Sequence, residues 1–86
     1  MTEDELQTRV AQVLSRVIEE TMGEAPDLER DTALITSGIL DSLSMMQLFV
    51  ELQSEFEIDL EGDVLTEENF NTVEAISGVV QSYIER

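Results

Sequence analysis

A serine hydroxyl lies near the end of a segment, residues 38–43 (GILDSL), whose residue types could carry chemistry. Gly38 favours a sharp turn, and Ser42 follows at the predicted start of a helix. Serine is a good N-terminal cap there, and Asp41 suits the positive end of the helix dipole. This arrangement should present Ser42 at the surface, where an attached phosphate would face the free N–H groups of the first turn. A phosphodiester on Ser42 is therefore chemically reasonable.

Ser42 is a poor candidate for a catalytic nucleophile, because the chain contains no histidine and no lysine that could take its proton. A passive acceptor serine, modified by a separate enzyme, needs no such base. We therefore expect that the protein is not an enzyme and that no residue is catalytic. The alternative interpretation is that Ser42 only caps a helix.

An acidic segment, residues 57–68, gives a second candidate site. Its residues occupy positions one, three, five, six and twelve of a calcium-binding loop: Glu57, Asp59, Glu61, Gly62 and Glu68. Glutamate replaces the shorter aspartate at positions one and five, and Leu65 at position nine has no side-chain oxygen. A dedicated metal site is not expected, although a calcium-binding protein stays open as an alternative.

Helical periodicity extends over most of the chain, and cap residues divide it. Thr2 and Glu5 predict a capping box at the start of a first helix that ends near Met22, before Gly23. Residues 23–41 form a long connection, which apolar side chains should pin to the core: Leu28, Leu34, Ile35, Ile39 and Leu40.

The second helix is predicted from Ser42 to Phe56, and a short third helix should be capped by Thr66. A last helix begins after Asn71 or Thr72. Its apolar face repeats at helical spacing and consists of Val73, Ile76, Val79, Val80, Tyr83 and Ile84. The pattern predicts an all-α bundle of three main helices and one short one, in a single domain covering residues 1–86.

The second helix has two apolar stripes where a core-facing helix needs one. The first consists of Met45, Leu48, Phe49, Leu52 and Phe56. The second, on nearly the opposite side, consists of Leu43, Met46 and Val50. With Asp41, this second stripe is our candidate face for partner enzymes; the alternative is that it packs inside the bundle.

Charge restricts the possible partners. The 86 residues include 20 acidic and 4 basic side chains, for a net charge of −16. Such a surface repels phosphate backbones and anionic lipids, so we expect neither nucleic acid nor membrane as a partner, but a protein with a basic patch. Cysteine is absent, and no apolar run reaches the length needed to span a bilayer. We expect a cytoplasmic monomer.

Residues 38–43 resemble the phosphopantetheine attachment motif of acyl carrier proteins, in which Asp-Ser-Leu opens the second helix. Residues 31–34 (DTAL), 50–58 (VELQSEFEI) and 66–76 (TEENFNTVEAI) are also similar to that family, in order and at compatible spacing. The resemblance implies a four-helix carrier fold and 4′-phosphopantetheine, donated by coenzyme A and attached to Ser42 by a phosphopantetheinyl transferase. It also implies a loading enzyme and a downstream synthase or transferase as partners.

Two details bear on the cargo. Residues 44–47 (SMMQ) lack the acid that fatty-acid carriers usually have there. Residues 69–72 (NFNT) look more like stand-alone carriers of aminoacyl groups or of unusual extender units in secondary metabolism, and somewhat like D-alanyl carriers. We therefore expect a free-standing acyl or aminoacyl carrier in secondary metabolism of the polyketide or nonribosomal type. A D-alanyl carrier and a fatty-acid carrier are the alternatives within the family, and an acidic adaptor without cofactor is one outside it.

Overall fold

The computed structural model describes residues 1–85, and four α-helices account for most of them. The helices are α1 (Glu3–Met22), α2 (Ser42–Phe56), α3 (Glu67–Phe70) and α4 (Val73–Ile84). A single 3₁₀ turn, Gly62–Val64, precedes α3 and was not predicted. The all-α class, with three main helices and one short one, is confirmed.

A side-chain oxygen caps the N-terminus of each helix by accepting a hydrogen bond from an N–H three residues later. The caps are Thr2, Asp41, Thr66 and Thr72. The prediction that Ser42 caps α2 is wrong, because Asp41 Oδ1 accepts the Ser44 N–H at 2.8 Å and Ser42 becomes the first helical residue.

The first helix matches its predicted limits. The Thr2 hydroxyl accepts the Glu5 N–H and donates to the Glu5 carboxylate, so this cap differs from the expected capping box in its second hydrogen bond. At the other end Gly23 adopts φ +89° and donates its N–H to the Glu19 carbonyl. This left-handed conformation suits glycine and ends α1 where the sequence indicates.

The core lies between α1, α2 and α4. Its buried apolar side chains are Leu6, Val10, Val13, Leu14, Val17, Ile18, Leu34, Leu40, Leu48, Leu52, Leu60, Phe70, Val73, Ile76, Val80 and Tyr83. All five apolar side chains of the 23–41 connection contact this core, with Leu34 and Leu40 fully buried. Ile84 does not complete the α4 face as predicted; it lies in the last turn and is 40% exposed.

Asn71, between α3 and α4, holds the long connection in place. Its side-chain Oδ1 accepts the N–H groups of Ile35 and Thr36 at 2.8 and 3.2 Å, and its carbonyl accepts the Leu34 N–H at 2.7 Å. These bonds satisfy backbone donors that would otherwise be partly buried without a partner. Residues 34–36 of the connection are therefore attached to the turn between α3 and α4.

Polar contacts join α1 and α2 at both ends. Glu55 accepts hydrogen bonds from Arg9 at 2.8 Å and from Arg16 at 3.3 Å, which hold the pKa of the Glu55 carboxyl below its usual value. The Arg9 guanidinium also lies 4.7 Å from the centre of the Phe56 ring. At the opposite end the Ser44 hydroxyl is 3.5 Å from that of Thr21, so the end of α1 meets the first turn of α2.

Candidate cofactor-attachment site

Ser42 lies at the surface because the residues before it turn the chain outward. Gly38 has φ +87°, which glycine adopts without strain. Leu40 then returns to the core and donates its N–H to the Leu34 carbonyl at 2.8 Å. The next residues, Asp41 and Ser42, are exposed. The predicted exposure of Ser42 at the start of α2 is thus confirmed.

The Asp41 carboxylate keeps a negative charge next to Ser42. The hydrogen bond from the Ser44 N–H lowers the pKa of this carboxyl below its usual value, so Asp41 is ionised over the whole neutral range. A partner that reaches Ser42 must therefore approach a carboxylate, and a basic side chain is the natural complement.

A phosphodiester can be attached at this site. The start of α2 is, however, a weaker anion-binding site than the sequence predicts. Asp41 accepts the N–H groups of both Ser44, through its side chain, and Met45, through its carbonyl, and so satisfies part of the helix terminus. A phosphate on Ser42 would consequently lie beside Asp41, in solvent. A group attached to the exposed Ser42 hydroxyl would be held by its covalent bond alone and would be free to move in solvent.

The second apolar stripe of α2 is exposed. Leu43, Met46 and Val50 are 65%, 49% and 58% accessible, while the first stripe contributes Leu48 and Leu52 to the core. The alternative in which the second stripe packs internally is therefore wrong. Glu20 of α1 and Glu51 of α2 border Met46 and Val50 in a shallow groove. Glu20 belongs to a different helix, so no pattern within α2 could have indicated it.

The acidic segment 57–68 is divided among the end of α2, the 3₁₀ turn and α3. Glu57 ends α2 in a left-handed conformation, Leu60 is buried, and Glu68 belongs to α3. Within residues 1–85, no three histidine, cysteine or carboxylate side chains come close enough to hold a metal ion. The same part of the chain has no helix both long and apolar enough to cross a bilayer.

The bundle presents an exposed serine at the start of a helix, and the chain has no histidine or lysine that could activate it. These are the properties of a domain that carries a covalently attached group. The family model described as "Phosphopantetheine attachment site" matches residues 5–80, and the chain belongs to this family. The resemblance to carrier proteins is thereby confirmed, and the cofactor is covalent 4′-phosphopantetheine. No solved structure matches the chain significantly.

Similar curated proteins are carriers as well. The D-alanyl carrier protein of Streptococcus suis (strain 05ZYH33) is 36% identical over 73 residues, which cover 84% of this chain and 92% of the relative. That of Lactococcus lactis subsp. cremoris (strain MG1363) is 40% identical over 55 residues, or 64% of this chain and 67% of the relative. The name of these relatives is that of one alternative left open by the sequence, the D-alanyl carrier.

Proposed function

We propose that the chain is a free-standing aminoacyl carrier and that Ser42 is its attachment residue. The observation that carries this proposal is the position of Ser42: it is exposed, it is the first residue of α2, and it follows Asp41 in a chain of the phosphopantetheine-attachment family. The phosphopantetheine thiol supplies the group on which a thioester is held. Ser42 itself provides only the oxygen of the phosphodiester.

The cargo that we propose is D-alanine or a similarly small amino acid. The relatives that support it are named D-alanyl carrier proteins, and the first of them matches over 92% of its length. Residues 69–72 are compatible with this assignment, since they resemble stand-alone carriers of aminoacyl groups or of unusual extender units and, to a lesser extent, D-alanyl carriers. No finding supports the polyketide or nonribosomal setting expected from the sequence, so it becomes the second choice.

The protein acts in this scheme as a substrate and not as an enzyme. A phosphopantetheinyl transferase modifies it, a loading enzyme charges the thiol, and a downstream synthase or transferase receives the cargo. The face that we assign to these partners consists of Asp41 with the exposed stripe Leu43, Met46 and Val50. We propose that it works as a cytoplasmic monomer, away from nucleic acid and lipid.

Intact mass spectrometry tests the attachment residue. Wild type incubated with coenzyme A and a broad-specificity phosphopantetheinyl transferase should gain one phosphopantetheine, and Ser42→Ala should gain none. Ser54→Ala, an exposed serine later in the same helix, is the matched control and should be modified like wild type. An unmodified wild type across several transferases would leave the cofactor-free adaptor as the better interpretation.

The cargo requires a second measurement on the modified protein. With ATP and a D-alanine-activating ligase, the mass should rise by one alanyl group, which hydroxylamine removes because the bond is a thioester. L-Alanine and malonyl-coenzyme A with its transferase serve as competing cargoes. Preferential loading by malonate would contradict the aminoacyl assignment while leaving Ser42 as the attachment residue.

A further inference from the structure

Asn71, in the turn between α3 and α4, is fixed on both sides by its neighbours in the chain. Phe70 before it is fully buried, and Val73 after it is 2% exposed. Thr72 adds a helix cap, because its hydroxyl accepts the Ala75 N–H at 3.0 Å. The backbone of Asn71 is therefore held against the core.

The side chain of Asn71, and not its backbone conformation, distinguishes this position. Its φ of −80° and ψ of −16° are right-handed values that most residue types adopt. Within residues 1–85 its side chain makes two hydrogen bonds, and Oδ1 accepts both, from the N–H groups of Ile35 and Thr36. The position thus uses an acceptor oxygen with two lone pairs, which aspartate also has and alanine lacks.

A short series of backbone hydrogen bonds leads from Asn71 towards Ser42. The Asn71 carbonyl accepts the Leu34 N–H at 2.7 Å, and the Leu34 carbonyl accepts the Leu40 N–H at 2.8 Å. Asp41, the cap of α2, is then the one residue between Leu40 and Ser42. The position of Ser42 therefore depends on a segment whose first residues are bonded to Asn71.

Transfer of phosphopantetheine requires an accurate position of the Ser42 hydroxyl. Its Oγ bonds to the phosphorus of coenzyme A that bears the pantetheine, the pyrophosphate bond breaks, and adenosine bisphosphate leaves. The hydroxyl proton passes to a base of the transferase, since the chain has no histidine or lysine. A displacement of about 1 Å in a reacting atom can cost about 100-fold in rate.

Given the proposed attachment at Ser42, on which this inference rests, we propose that Asn71 is a positioning residue for the modification. It acts through residues 34–41, which carry the chain to the start of α2. Without the Oδ1 acceptor, the N–H groups of Ile35 and Thr36 lose their partner, and the segment is held less firmly. The exposed stripe of α2 belongs to the helix itself, so transfer should slow while binding of the transferase changes little.

Steady-state kinetics of phosphopantetheine transfer test this role. Asn71→Ala should lower kcat about tenfold and leave the KM for the carrier within about twofold of wild type. Asn71→Asp keeps the acceptor and should retain kcat within about twofold of wild type. If circular dichroism shows that Asn71→Ala does not fold, Asn71→Ser replaces it, because its hydroxyl ends one bond short of the Oδ1 position.

Val10→Ala is the matched control for a loss of stability alone. Val10 is fully buried in α1 next to Arg9, whose partner Glu55 lies near the end of α2 that is away from Ser42. The variant should lower the melting temperature, because it leaves a cavity in the core. It should nevertheless keep the wild-type kcat, since it does not alter the bonds of residues 34–41.

Amide hydrogen exchange gives a readout that does not depend on the transferase. The Leu40 amide should exchange about tenfold faster in Asn71→Ala than in wild type, and at the wild-type rate in Asn71→Asp. Wild-type kcat or unchanged Leu40 exchange in Asn71→Ala would overturn the proposal. A slow Asn71→Asp, or a Val10→Ala as slow as Asn71→Ala, would overturn it as well. An unmodified wild type would instead reject the attachment at Ser42.

Discussion

Asp41 serves two purposes with one carboxylate, because it caps α2 and places a negative charge beside Ser42. The two effects can be separated by substitution. Asp41→Asn keeps a cap of similar strength but removes the charge, whereas Asp41→Ala removes both.

We expect Asp41→Ala to lower the melting temperature by several degrees and Asp41→Asn to leave it nearly unchanged. Both variants should be modified more slowly than wild type, because each lacks the carboxylate that a basic partner would contact. Thermal melts and initial rates of phosphopantetheine transfer measure the two effects. Full modification rates in Asp41→Asn would remove Asp41 from the partner face.

Two glycines of the chain should respond oppositely to the same change. Gly78→Ala should stabilise the protein by about 1 kcal/mol, because alanine is the better helix former and its Cβ has free space. Gly23→Ala should destabilise it by about 1 kcal/mol, because φ +89° is strained for alanine. Urea unfolding gives both values. A destabilised Gly78→Ala would mean that α4 needs glycine for packing after all.

Helix limits were predictable because the cap residues act within three or four positions of themselves. Thr2, Thr66 and Gly23 each mark their helix end correctly. The choice between Asp41 and Ser42 as the cap was not predictable, since both are good caps and only the hydrogen bond to Ser44 distinguishes them. The role of Asn71 was hidden as well, because its partners lie 35 and 36 residues away.

The site was predictable to a similar degree. Ser42 could be predicted because the residues that identify it, 38–43, are consecutive in the sequence. The exposure of the Met46 stripe depends on where the long connection runs, and hence on tertiary contacts that helical periodicity does not determine. The acidic segment is a further example: its spacing resembles a calcium loop, and only the structure shows that Leu60 lies in the core.

Exposure of the second stripe of α2 predicts how its variants behave. Met46→Glu and Val50→Glu should fold and melt close to wild type while loading or transfer slows several-fold. Leu48→Ala, on the buried side of the same helix, should cost about 2–5 kcal/mol. Urea unfolding and single-turnover loading measure these effects. Unimpaired loading in both glutamate variants would place the partner face elsewhere.

The ion pairs between α1 and α2 should make stability depend on pH through Glu55. Its pKa is lowered in the folded state, so its contribution is fully present above the ordinary glutamate pKa of about 4.3 and is lost as the pH falls through the folded value. Glu55→Gln should therefore be less stable at pH 7 by about 1 kcal/mol, and the difference should shrink towards acid. A difference that is constant down to pH 3 would contradict this.

The whole molecule carries far more negative charge than its fold can pair. Among residues 1–85, Arg9, Arg16 and Arg30 each lie within 4 Å of a carboxylate. Nearly all the other acidic residues are exposed. Their repulsion opposes the compact state.

Salt should consequently raise the melting temperature, because ions screen this repulsion over a Debye length of about 10 Å at 0.1 M. Differential scanning calorimetry from low to moderate sodium chloride measures the effect. The Glu55 pair is screened as well, so Glu55→Gln should gain more from salt than wild type. A melting temperature that falls between low and moderate salt would show that attractive pairs outweigh the repulsion.

The net negative charge of the molecule also has a kinetic consequence. Oppositely charged proteins are drawn together before they touch, and such steering affects the association rate far more than the lifetime of the complex. On the proposed partner face, the lifetime would depend on the small apolar contact made by Leu43, Met46 and Val50. Under the proposed function, ionic strength governs how often the protein meets a basic enzyme, and three side chains govern how long it stays. A molecule built in this way can visit several enzymes in succession without being retained by any of them.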